Sequence, residues 1–276
     1  MSASYCIVNG ELRRADEPAV SPYDRSFSLG DGLFETLKVL KGKPIWLDEH
    51  LERMQNSADF ARMDFLQKSS CRELCGRLIE QNRISNGFLR LTLSRGISPT
   101  GRFHDIPEKT ELVITGGNTK TDAGGIIAGF APWPVNENDP SCFHKSSSRF
   151  SLVMASLEAK REGYGELIFV NTKGELTEGI FSNVFWVRGG ELFTPAVDCG
   201  LLAGVTRAKV LNIADWLGIG VNIGRFGREE MEGADEIFFT SSMMGVRRCF
   251  ALDGLEIARG KITGVLEKEI ARLMER

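Results

Sequence analysis

Histidine is scarce. There are three in 276 residues, at positions 50, 104 and 144, too far apart in sequence to argue for a metal centre. The six cysteines, at 6, 71, 75, 142, 199 and 249, include no pair at C-x2-C zinc spacing. Cys71 and Cys75 are four apart on an expected helix, so they share a face and read as small buried thiols. A basic surplus is also missing. Thirty-four Lys and Arg face 37 Asp and Glu, and Lys41, Lys43 and Arg247-Arg248 are short runs, so nucleic acid has no electrostatic footprint here. The longest apolar runs, such as 125–131, fall far below the roughly 20 residues of a membrane span. The N-terminus lacks the charged and apolar regions of a signal peptide, and the expectation is a cytoplasmic protein. Gly218, Gly220 and Gly224 follow a helical pattern rather than a strand and miss the dinucleotide spacing. No G-x-S-x-G elbow occurs.

What is present is an ordinary folded composition, 42% apolar and 26% charged, in a chain long enough for two cores. The first third reads as α+β. A hairpin over 4–8 and 11–14 turns on Asn9-Gly10, a strand covers 32–40, and a helix capped by Asp48 runs through His50, Leu51 and Met54. A second helix is expected over 70–82, then strands at 88–94 and 111–115 around a long loop that starts at Arg95. A linker is expected at 119–124, dividing a domain of 1–118 from one of 125–276. The second part reads as a helix over about 147–162, a hairpin at 166–177, a strand at 183–188, a helix at 204–217, strands near 219–223 and 236–240, and a C-terminal helix over 262–274.

Three features could carry chemistry. Lys145, in His144-Lys-Ser-Ser-Ser-Arg149, stands before a helix, and a lysine whose pKa is lowered forms Schiff bases. By itself such a lysine is far more often a solvated surface residue. Gly204-Val205-Thr206 opens a helix, where backbone N–H groups, a hydroxyl and the positive dipole end suit a phosphate, although Thr206 as a plain capping residue explains the pattern as well. Glu178 sits between a hairpin and an apolar strand, either as a solvated turn residue or as a partner for a protonated ring nitrogen.

In order and spacing these features resemble the class IV, fold-type IV, pyridoxal phosphate enzymes. That family includes branched-chain aminotransferases, D-amino-acid transaminases and 4-amino-4-deoxychorismate lyase. The resemblance rests on Asp24-Arg-Ser-Phe-Ser-Leu-Gly-Asp-Gly-Leu-Phe-Glu35, Asp48-Glu-His-Leu-Glu-Arg53, His144-Lys145, the run from Asn171 to Phe185, Leu201-Leu-Ala-Gly-Val-Thr-Arg207 and Phe238-Phe-Thr-Ser-Ser242. It implies an α+β fold of two domains, a small N-terminal α/β domain and a larger C-terminal domain with a barrel-like sheet. It also implies pyridoxal 5'-phosphate as cofactor and a homodimer whose sites use loops of both subunits. By the same resemblance Lys145 carries the cofactor as a Schiff base and moves the substrate proton, and Glu178 faces the pyridine nitrogen. Arg53 pairs with the phosphate; Val205, Thr206, Ser241 and Ser242 donate to it; Leu202 packs on the ring.

The resemblance divides over the substrate. Arg102-Phe103-His104 looks like the Arg-x-His carboxylate trap of D-amino-acid transaminases, with Phe34 where those enzymes place a tyrosine. Arg90 is a rival carboxylate anchor, because its alternation with Leu89 and Leu91 puts it on the opposite sheet face. Arg149, Phe34-Glu35 and the segment from Ser241 to Arg247 look more like the lyase. The reading favoured on sequence is a transaminase that moves an amino group between a small, D-configured amino acid and a 2-oxo acid. Pyruvate elimination giving 4-aminobenzoate is the alternative, and a branched-chain aminotransferase or a catalytically inactive cofactor-binding protein stands further off.

Overall fold

The computed structural model describes residues 4–17, 20–120 and 124–275. Part of the expected linker, residues 121–123, lies outside them. The chain divides into two compact units. One holds residues 1–121 and 144–149, the other 122–143 and 150–276.

The first unit is one antiparallel sheet with two helices on one face. Its elements are β1 (Tyr5–Val8), β2 (Glu11–Arg14), the short helix α1 (Arg25–Leu29), β3 (Gly32–Leu40), β4 (Lys43–Pro44), α2 (Leu47–Ala61), α3 (Lys68–Gln81), β5 (Asn86–Ser94) and β6 (Glu111–Asn118). The strand order is β2-β1-β6-β5-β3-β4. Asn9 and Gly10 both take positive φ, which is the type I′ geometry that closes the β1–β2 hairpin. Alternation then decides the core. Leu33, Leu37 and Val39 of β3 and Leu89, Leu91 and Leu93 of β5 meet Leu51 and Met54 of α2 and Leu74 and Leu78 of α3. Cys71 and Cys75 lie in the same core, as their spacing implies.

Two local expectations are corrected. Helix α2 begins at Leu47, with Trp46 as its N-cap in a left-handed conformation. Asp48 is therefore in the first turn, where its charge suits the dipole, and it accepts a 2.6 Å bond from Arg72 rather than capping the helix. Helix α1 was not foreseen, since five residues carry no amphipathic period. Its end groups hold it: Asp24 accepts from the Phe27 amide, and the Gly30 amide, at φ 70°, a conformation that a β-carbon disfavours, donates to the Arg25 and Ser26 carbonyls.

The second unit is built on a nine-stranded mixed sheet. Its elements are β7 (Ile126–Phe130), α4 (Phe150–Glu162), β8 (Glu166–Val170), β9 (Leu176–Gly179), β10 (Asn183–Arg188), β11 (Glu191–Pro195), α5 (Val205–Trp216), β12 (Val221–Gly224), β13 (Glu236–Ser241), β14 (Gly245–Leu252), β15 (Leu255–Glu256) and α6 (Lys261–Glu275). The order is β12-β11-β10-β13-β14-β7-β8-β9, with β15 on β14. Strand β9 returns beside β10, so the sheet curls into the barrel-like form that the resemblance implied. Val184, Trp186, Ile237, Phe239, Ile168 and Leu176 fill its interior. Phe185 and Phe238 point the other way, pair across the strands and stack with centroids 5.0 Å apart. Helices α5 and α6 lie on β13 and β14, which is why β13 is buried on both faces. Strands β11 and β14 were missed in the sequence. In β14 the adjacent Arg247 and Arg248 interrupt the apolar alternation that marks a strand.

A buried carboxylate ties this sheet together. Glu166 of β8 accepts hydrogen bonds from the amides of Leu167, Ile180 and Phe181 and from the Ser182 hydroxyl, at 2.6–3.4 Å. Burial pushes its carboxyl up to about 7 even against these four donors. An acid whose folded pKa lies above its unfolded value holds its proton better in the native state. Stability should then fall as pH rises from 4.5 to about 7, by roughly 3 kcal/mol for a shift of this size. Urea unfolding of the wild type and of Glu166→Gln across that window measures it. A difference between the two proteins that does not change with pH would sink the assignment.

Candidate active site

Lys145 belongs, by its contacts, to the first unit. Its carbonyl accepts a 2.8 Å bond from the Phe34 amide, the Ser147 amide donates to the Gly32 carbonyl at 2.8 Å, and Leu33 bridges Ser146. The segment 144–149 therefore runs along β3 like a short added strand. The sequence places this segment in the domain expected over 125–276, because pairing between residues more than a hundred apart leaves no local pattern. His144 is held as well: its Nδ1 lies 3.0 Å from the Ser57 hydroxyl, and its ring stacks on Phe60.

Three cations gather on one aromatic ring. The Arg90 guanidinium carbon lies 3.8 Å from the centroid of Phe34, the Lys145 Nζ 4.7 Å and the Arg149 guanidinium carbon 5.1 Å. Arg90 stands opposite Thr36 across the β3–β5 ladder and on the same face as Phe34, while its neighbours Leu89 and Leu91 are wholly buried on the other. Burial depresses the Arg90 pKa, yet an arginine remains charged. Two fixed positive charges thus sit beside the lysine amine. Arg149 was noted in the sequence only as part of a resemblance. Its approach to Phe34 depends on the path of 144–149.

On the opposite face of β3, Glu35 points among the helices. It is 1% exposed. Arg53 of α2 forks onto it through Nε and Nη2, both at 2.7 Å, and His50 Nδ1 lies 2.7 Å away. Burial alone would raise the carboxyl pKa; the Arg53 charge and the hydrogen bonds from His50 and Arg53 outweigh it and hold the group at about 2. The signal for Glu35 was in the sequence, as a carboxylate between Leu33 and Leu37 on the core face of a strand.

Arg102 and His104 lie in the long loop between β5 and β6 and are exposed, His104 with 79% of its side chain accessible. The loop backbone is anchored from beneath. The buried Arg25 donates to the carbonyls of Arg102, Phe103 and Asp105 while Asp31 holds its Nε at 2.8 Å.

The second unit carries the other expected residues. Glu178, half-buried at the end of β9, accepts from the Asn183 side chain at 3.1 Å and the Leu202 amide at 3.2 Å. Asn183 also donates to the Leu202 carbonyl at 2.8 Å, so Glu178 and Leu202 are brought together by a residue that sequence reading had not singled out. Arg207 lies buried near Glu178 and donates to the Pro195 carbonyl at 3.0 Å. Ser241, at the end of β13, accepts from the Met244 amide. Ser242 follows it in the turn before β14.

The start of α5 fits a phosphate. Val205 and Thr206 form its first turn after Gly204, and no side chain caps it. The Thr206 hydroxyl is buried and has no hydrogen-bond partner among the described residues, which also argues against a plain capping role. A β-carbon on Gly204 would come within 2.0 Å of the Asn183 Oδ1, so a larger residue there would displace the Asn183 side chain that holds Glu178 and Leu202. A buried hydroxyl with no partner in the first turn of a helix that no side chain caps suits an anionic phosphate.

A two-unit α+β fold with a curled sheet, a lysine set among cations in one unit and an uncapped helix start in the other suit an enzyme that holds a phosphorylated cofactor. The chain matches the family model "Amino-transferase class IV" over residues 32–251, and it belongs to that family. It is 30% identical to an aminodeoxychorismate lyase of Bacillus subtilis, covering 87% of this chain and 83% of that protein. It is 29% identical to a D-alanine aminotransferase of Listeria monocytogenes, covering 92% and 90%. Among solved structures, the Escherichia coli branched-chain amino acid aminotransferase superposes with a TM-score of 0.92 at 25% identity, covering 99% and 95%.

Proposed function

We propose that this chain is a pyridoxal 5'-phosphate lyase that converts 4-amino-4-deoxychorismate to 4-aminobenzoate and pyruvate. The observation that carries the reading is the pair of guanidinium groups, Arg90 and Arg149, on the Phe34 ring beside Lys145. A substrate with a ring carboxylate and an enolpyruvyl carboxylate asks for two fixed cations; a small amino acid with one carboxylate asks for one. Phe34 also lacks the hydroxyl that a tyrosine would bring to a D-amino-acid trap. The likeness to the Bacillus subtilis lyase supports the same side.

In this reading Lys145, Arg53, Glu178, Leu202, Val205, Thr206, Ser241 and Ser242 hold the cofactor, which when bound supplies an electron sink for charge developing on the substrate carbon. Lys145 Nζ takes the proton from the carbon that bears the amino group and returns one later. Glu178 presents a carboxylate to the ring nitrogen, and the Asn183 side chain and the Leu202 amide donate to it and fix its direction. Arg90 and Arg149 orient the carboxylates. The bond between the ring carbon and the ether oxygen breaks, the departing enolpyruvate receives at its methylene carbon the proton Lys145 took and becomes pyruvate, and the ring becomes aromatic with no second substrate. None of the six cysteines forms a disulfide, which suits the reducing cytoplasm proposed for the chain, and we take a homodimer as its working form.

A second reading has its own observation. The exposed Arg102-Phe103-His104 loop, anchored through Arg25, supports a transaminase that uses D-amino acids and a 2-oxo acid. One experiment separates the two. The holoenzyme is mixed with 4-amino-4-deoxychorismate and no oxo acid, and 4-aminobenzoate and pyruvate are followed. Many turnovers with equal amounts of both products are expected. No product there, with D-alanine instead giving one equivalent of pyruvate and loss of the visible cofactor band, would replace the lyase with the transaminase.

A further inference from the structure

We infer that Glu35 is a positioning residue for the cofactor phosphate, acting through Arg53, and that β3 sets the lysine and that arginine in one frame. The inference rests on the reading above that Arg53 binds the phosphate. Consecutive residues of the strand do the two jobs. The Phe34 amide holds the Lys145 carbonyl at 2.8 Å, and the Glu35 carboxylate holds the Arg53 fork at 2.7 Å through Nε and Nη2. An extended strand turns adjacent side chains to opposite faces, so this arrangement cannot slip without moving both. A guanidinium is planar, and fixing two of its five donors fixes the plane and direction of the rest.

The surroundings fit aiming better than simple stabilisation. Glu35 is almost wholly buried, and a buried ion pair is weak evidence for stability, because apolar residues of similar volume often do as well. The site instead carries a carboxylate with a second partner, His50, which is itself fully buried. That partner shares the Oε2 oxygen with Arg53 Nη2, so the carboxylate is held at one end by two groups while Nε of the fork takes Oε1. The Arg53 side chain, by contrast, keeps 15% of its surface accessible. Glu35 thus acts as the rigid seat and Arg53 as the arm that reaches a ligand. Outer partners of ligand-binding groups work this way elsewhere, by fixing orientation rather than by touching the ligand.

The test uses the full chain stripped of cofactor and titrated with two probes, pyridoxal 5'-phosphate and phosphate-free pyridoxal. Glu35→Asp keeps the buried charge but shortens its reach, so it guards against a Glu35→Gln protein that does not fold. Both variants should bind pyridoxal 5'-phosphate about ten- to hundredfold more weakly, the scale of one charge-assisted hydrogen bond, with pyridoxal affinity unchanged. In an Arg53→Lys background the Glu35 substitutions should add nothing. If Arg53→Lys weakens the phosphorylated probe while Glu35→Asp does not, the positioning inference is overturned and the phosphate role of Arg53 stands. If Arg53→Lys leaves both probes unaffected, the phosphate reading itself fails. Equal loss for both probes in the Glu35 variants makes Glu35 a structural residue only.

Discussion

Replacing Lys145 with alanine should lower turnover by about ten-thousandfold or more, since in the proposed function the residue both carries the cofactor and moves the substrate proton. The protein should stay folded. The contacts that seat 144–149 on β3 are main-chain bonds, from the Phe34 amide to the Lys145 carbonyl and from the Ser147 amide to the Gly32 carbonyl, and an alanine keeps them. The measurement pairs steady-state rates with a thermal unfolding curve. A variant that unfolds normally and still turns over within tenfold of the wild type would remove Lys145 from the chemistry. Arg90 and Arg149 would then be cations around an aromatic ring with no reacting amine beside them.

The second large effect concerns those two arginines. Arg90→Gln and Arg149→Gln should each reduce kcat/KM for 4-amino-4-deoxychorismate by about ten- to hundredfold, the loss expected when one charged hydrogen-bond partner is removed. The double variant should lose more than either single one, because each cation meets a different carboxylate. Phe34 separates this from a general loss of structure. It packs against both guanidinium groups, at 3.8 and 5.1 Å, and Phe34→Leu should keep much of the carboxylate recognition while loosening its geometry. Kinetics with a substrate analogue that lacks the ring carboxylate give the decisive comparison. One arginine variant should be harmless toward that analogue and the other should not. If both variants lose equally on both compounds, the two arginines are not dividing two carboxylates, and the lyase reading loses its main support.

Much of the frame was legible from local pattern. Alternation in β3 and β5, the Asn9-Gly10 turn and the apolar spacing of α2, α3 and α6 are short-range signals, because strand and helix periods are written within ten or fifteen residues. Lys145, Glu178 and Thr206 stand out as candidates because their neighbours resemble a known family. Chemistry alone reads Lys145 as a surface group and Thr206 as a cap. Strands β11 and β14, helix α1 and the start of α2 were not legible. Each depends on a partner or an end group rather than on its own period, as with Arg247 and Arg248 inside β14 and Trp46 before α2.

The sequence by itself determined the class of fold and, through ordered motifs that resemble a known family, the family and Lys145 as the lysine to test. Tertiary structure alone decided which groups meet. It set Lys145 on β3 through pairing with residues more than a hundred positions earlier, and it gathered Arg90 and Arg149 on Phe34. It joined Glu35 to Arg53 and His50, and it left the Thr206 hydroxyl buried with no partner among the described residues. The physical reason is the range of the forces. A strand's period is local, whereas the direction of a guanidinium fork and the desolvation of a carboxylate depend on side chains brought together only when the chain has folded.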